Sequence, residues 1–151
     1  AMVWVGLIVF VNFVQLVALQ GADDAARSFF AKSVIPQVAA WYRHASTLAV
    51  ATGAILLVTS GYLFPSLTYA TEVATPPART LLLWAGVLGA IAMWMFVHMY
   101  IWPNVQVTIG LRIGDAEAKA RAREKVLLFA RLNLVLAIPV TLAMVAAAHL
   151  Y

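Results

Sequence analysis

Three histidines, His44, His98 and His149, stand inside or at the ends of long apolar runs. A neutral imidazole offers a lone pair suited to haem iron and other metals, and it is a costly choice for a lipid-facing position. The chemistry these residues would do is therefore ligation. The chain has no cysteine, which excludes c-type haem attachment, iron–sulfur ligation and disulfides. The acidic residues Asp23, Asp24, Glu72, Asp115, Glu117 and Glu124 all fall at the ends of apolar runs or between them. A proton pump or cation-coupled transporter needs a carboxylate within the membrane, so transport is disfavoured. No Ser-His-Asp or paired-carboxylate arrangement supports hydrolysis.

The elements that must position the histidines follow from composition. Of 151 residues, 64% are hydrophobic and 11% charged, with a mean hydropathy of +0.92. Soluble domains are about half apolar and a quarter charged, so this is an integral membrane protein whose partner is the lipid bilayer. At roughly 20 residues per span, the length accommodates about four helices and short connections. The apolar runs predict spans over about 2–19, 39–64, 80–102 and 126–151, giving an all-α, antiparallel four-helix transmembrane bundle in one domain. The first run is already under way at Ala1-Met2-Val3-Trp4, which leaves room for residues upstream.

Between the first two spans, the segment 20–37 reads as a short interfacial helix. Asp23 and Asp24 stand at its start, Lys32 near its end, and Pro36 stops it. Trp41 and Tyr42 at one end of the second span, and Tyr62 and Phe64 at the other, form aromatic belts. Pro65, Pro76 and Pro77 mark 65–79 as a loop. Trp102 followed by Pro103 marks the end of the third span. The segment 103–125 is charge-rich, and Arg112, Lys119, Arg121, Arg123 and Lys125 outnumber its acids. Most of the net charge of +4 lies here. It reads as membrane topology rather than nucleic-acid binding, with this loop cytoplasmic and both termini outside a bacterial inner membrane. Pro139 predicts a kink in the fourth span. Asn12, Gln15 and Asn133 read as interhelical hydrogen-bonding groups.

In this topology His44 lies about one turn inside the cytoplasmic face on the second span. His98, four residues before Trp102, lies at the same depth on the third, roughly 6 Å inside at ~1.5 Å per residue. Two histidines at matched depth on adjacent antiparallel helices are what a bis-histidine haem b requires. Arg43 and Arg131, near the same boundary, would neutralise its propionates or else extend to lipid headgroups. The alternative is that both histidines hydrogen-bond locally. His149 stands at the opposite face as a third candidate metal ligand or an interfacial group.

Several strings also share their order with one known family. The fourth span carries Arg131, Asn133, Leu136, Pro139, Val140, Met144 and His149, similar to an Arg-x-Asn-x-x-Leu-x-x-Pro-Val pattern followed by Met and a terminal Asn-His-Tyr. The third ends in Ile101-Trp102-Pro103-Asn104, the first contains Trp4-Val5-Gly6 and Asn12-Phe13-Val14-Gln15, and the second Trp41-Tyr42-Arg43. The chain thereby resembles the first four-helix half of the membrane-bound urate hydroxylase (urate oxidase N-terminal) type. The resemblance implies a bundle fold and a c-type cytochrome as electron partner, although the family's cytochrome c domain is lacking here. It also implies a histidine upstream of the first helix to pair with His149. His44 and His98 stand where that family is expected to carry Trp, which points to a site particular to this branch.

Three functions follow from this reading. The first is a haem-b-binding membrane subunit for electron transfer within a larger membrane complex, with His44 and His98 as ligands. The second is a structural accessory subunit of a membrane enzyme or light-harvesting complex, without a cofactor. The third is a half-domain of a urate-hydroxylase-like oxidase.

Overall fold

A computed structural model describes residues 1–60 and 77–149. Within them the chain forms four helices and no strand. Helix α1 is Met2–Gln20, α2 covers 24–59, α3 covers 77–108 and α4 is Ala116–His149. Helices α1, α3 and α4 are long and apolar enough to cross a membrane. Helix α2 falls short of that mark because Arg43, His44, Ser46 and Thr47 dilute its apolar half. The residues expected to complete that span, including Tyr62 and Phe64, lie outside the described residues, as do Pro65, Glu72 and Pro76 of the expected loop.

Two expected helix stops are not stops. Pro36 lies within α2, just after a π-helical turn at Phe30–Val34. Pro103 lies within α3, just after another at Phe96–Ile101. A proline in a regular helix lacks the N–H and collides with the carbonyl four residues back. The wider π turn, closed by Ile35 N–H to Phe30 O and Trp102 N–H to Val97 O, precedes the ring and lets the helix continue. The separate interfacial helix over 20–37 is thus the first part of α2, and Lys32 is mid-helix. The third helix likewise begins at Pro77 rather than Thr80.

The charge-rich segment is correspondingly less of a loop than 103–125 suggests. Helix α3 continues to Thr108, and Gly110 closes it with φ +81°, a conformation that favours glycine. Asp115 then caps α4, its carboxylate accepting the Ala118 N–H at 2.7 Å. Asp23 caps α2 in the same way through Ala26. Pro139 lies inside the continuous α4.

Each helix packs against its neighbours in a ring, α1 on α2, α2 on α3, α3 on α4 and α4 on α1. The α3–α4 interface is the most extensive. Its contacts pair rising numbers with falling ones, Gly86 with Met144 and Gly89 with Val140, so the two helices are antiparallel. The buried face of α4 is built mainly from alanine, at Ala122, Ala130, Ala137 and Ala147. Small residues let helix backbones approach where lipid supplies no hydrophobic drive. Ile8 and Val97 fill the centre, while Phe13, Trp41, Leu48, Leu81, Leu88, Met99, Val135 and Leu142 face outward, as helices solvated by acyl chains require.

Candidate functional site

The polar side chains of α2 and α3 meet along one seam. The Thr47 hydroxyl lies 3.2 Å from His98 Nε2 and accepts the Trp94 Nε1–H at 3.2 Å. It also lies 3.0 Å from the Arg43 carbonyl, a competing acceptor for its proton. His98 Nδ1 stands 3.0 Å from the Trp94 carbonyl. A carbonyl only accepts, so Nδ1 carries a proton there and, in the neutral ring, the Nε2 lone pair faces Thr47. The single hydroxyl proton then serves either the Arg43 carbonyl or His98. The Trp94 and His98 rings lie 4.5 Å apart at 32°. One turn further along, the Arg43 guanidinium sits 4.6 Å over the Trp102 ring, a cation–π contact between the same two helices.

His44 lies one turn before Thr47 on α2 and is exposed. The Thr47–His98 and Arg43–Trp102 contacts set the register of the seam, and they leave His44 about one turn, ~4.5 Å, nearer the turn end than His98. A porphyrin between α2 and α3 would need that seam open, and the Thr47–His98, Trp94–Thr47 and Arg43–Trp102 contacts close it. Arg43 is occupied by Trp102, and Arg131 is exposed on α4. The residues as they stand therefore do not fit a haem between His44 and His98. His149, at the far end of α4, is exposed, with Nδ1 donating to the Val145 carbonyl at 2.9 Å. Among the described residues no group of three or more His, Cys, Asp or Glu side chains stands close enough to share a metal ion.

The amides behave largely as their positions suggest. Asn133 is fully buried and donates to the Tyr42 hydroxyl at 3.2 Å, tying α4 to α2. Asn12 donates to the Ala130 carbonyl at 3.3 Å, tying α1 to α4. Gln15 is buried as well, yet its Oε1 has no hydrogen-bond partner.

Gln15 instead lines a cavity of about 400 Å³ at the end of the bundle where the α1–α2 and α3–α4 turns lie. All four helices contribute to it. Its floor is formed by buried residues such as Tyr42, Val97 and Ala130, and exposed Arg27 and Arg123 stand at its mouth. Sequence reasoning missed this site. Gln15 reads as one more interhelical amide, Arg123 as an ordinary topology signal, and Arg27 drew no reading.

No family model, curated protein or solved structure matches the chain.

Proposed function

We propose that the chain is a non-catalytic, four-helix accessory subunit of a larger membrane complex, in which His98 and Arg43 join helices rather than hold a metal or its cofactor. The Thr47–His98–Trp94 network carries this reading, because it spends His98 on closing the α2–α3 seam. In this reading the charge-rich end faces the cytoplasm, and the start of α1 and the end of α4 lie at the other side.

A double-mutant cycle tests the network. Thr47→Val and His98→Ala should each lower stability in detergent by about 1–2 kcal/mol, and the pair should lose less than the sum. His44→Ala, which removes no such bond, should be nearly silent. Equal damage from His44→Ala and His98→Ala would contradict the proposal.

The second reading, haem b held by His44 and His98, is supported by their place on adjacent helices near one end of the bundle and by the Nδ1–H bond of His98. A ring nitrogen fixed by a backbone carbonyl leaves Nε2 as the ligating lone pair. That reading requires Nε2 to exchange Thr47 for iron and the seam to part. A urate-hydroxylase-like half-domain is the third, supported by the order of the sequence motifs alone.

A further inference from the structure

We propose that the cavity at the turn end of the bundle is a binding site for a single-chain anionic amphiphile, with its charged head between Arg27 and Arg123 and its chain along the helix axes. Three independent observations converge on this chemistry. The volume, about 400 Å³, falls within the roughly 300–1,000 Å³ typical of small-molecule sites. On α3 the lining extends from Val97 to Thr108, a length of about 16 Å at 1.5 Å per residue. An acyl chain laid along α3 would meet the lining over that length. The depth of the cavity is apolar, with Val97, Ile101, Val105 and Val126 among its walls.

The charge at the mouth selects the head. Arg123 has no ion-pair partner among the described residues. Arg27 has only Asp24 at 3.9 Å, and both of these side chains are more than half exposed. Neither guanidinium is neutralised by a close bond, so together they favour a carboxylate or phosphate monoester.

Gln15, 7% exposed, also lines the cavity, but its Oε1 is fully buried and offers no surface to a ligand. The head group is therefore selected by the two arginines alone. Trp102 also lines the cavity, which gives it a built-in fluorescent reporter.

The test uses the full chain, purified and stripped of lipid in mild detergent at neutral to slightly alkaline pH. The probes are 9,10-dibromostearate and the corresponding neutral alcohol, whose bromines quench nearby indole emission. The acid should quench saturably at a concentration at least about tenfold below the alcohol, as charge-assisted bonds to two guanidiniums require. Trp102→Phe should remove the saturable quenching. The Arg27→Gln, Arg123→Gln double variant should erase the preference for the acid, and both positions are exposed, so folding is preserved. Lys119→Gln, a charge change away from the cavity lining, should leave that preference intact. Equal quenching by acid and alcohol, a preference surviving the double arginine variant, or an equal loss in Lys119→Gln would each overturn the proposal.

Discussion

A Cβ added at Gly89 would stand 2.4 Å from Cγ2 of Val140, and one at Gly86 would stand 2.6 Å from the Met144 sulfur. Valine is stiff at χ1, whereas a methionine tip swings away at little cost. Gly89→Ala should therefore destabilise the bundle by about 1–3 kcal/mol, and Gly86→Ala by clearly less. Thermal unfolding of the two variants in the same detergent checks the order, and a larger loss at Gly86 would contradict the α3–α4 packing. Much of the chemistry at this scale was legible in the sequence. Asn12 and Asn133 read as interhelical bonds and are so used, and His98 lies on the α2–α3 seam. What spacing does not fix is rotation about the helix axis. Thr47, an unremarkable residue by type, is what engages His98, and only packing shows that Gln15 has no partner.

Helix ends were legible where a side chain caps them and misread where a proline appeared to do so. Asp23 announces the start of α2 and accepts a backbone N–H in its first turn; Asp115 does the same for α4, but among the charges of 103–125 it reads as part of a loop. Pro36 and Pro103 read as stops because the expected clash belongs to a regular α-turn. The sequence carries no clear sign of the π turns that relieve it. Capping itself is testable at this scale. Asp115→Ala should cost about 1 kcal/mol, while Asp115→Asn, which keeps an accepting oxygen, should cost only a few tenths. Equal losses in calorimetric unfolding would show that the charge or the turn, and not the cap, holds that end of α4.

For the whole molecule, composition announced a helical membrane protein, and three helices long and apolar enough to cross a membrane agree with that. The ring of antiparallel helices also puts the α1–α2 and α3–α4 turns at one end, beside the cavity. A chain without cysteine allows a direct check of sidedness. Single cysteines replacing Gly21 and Ile113, both exposed, should resist an impermeant thiol reagent in intact cells and react together once the membrane is opened. Labelling of the two positions from opposite sides would contradict the arrangement.

The most direct question for the molecule is whether its histidines close a seam or hold iron. The deciding measurement is a reduced-minus-oxidised absorption spectrum of the full chain, purified from cells with ample haem supply. A closed Thr47–His98–Trp94 seam predicts a featureless spectrum. A b-type α band that disappears in both His44→Ala and His98→Ala would contradict it.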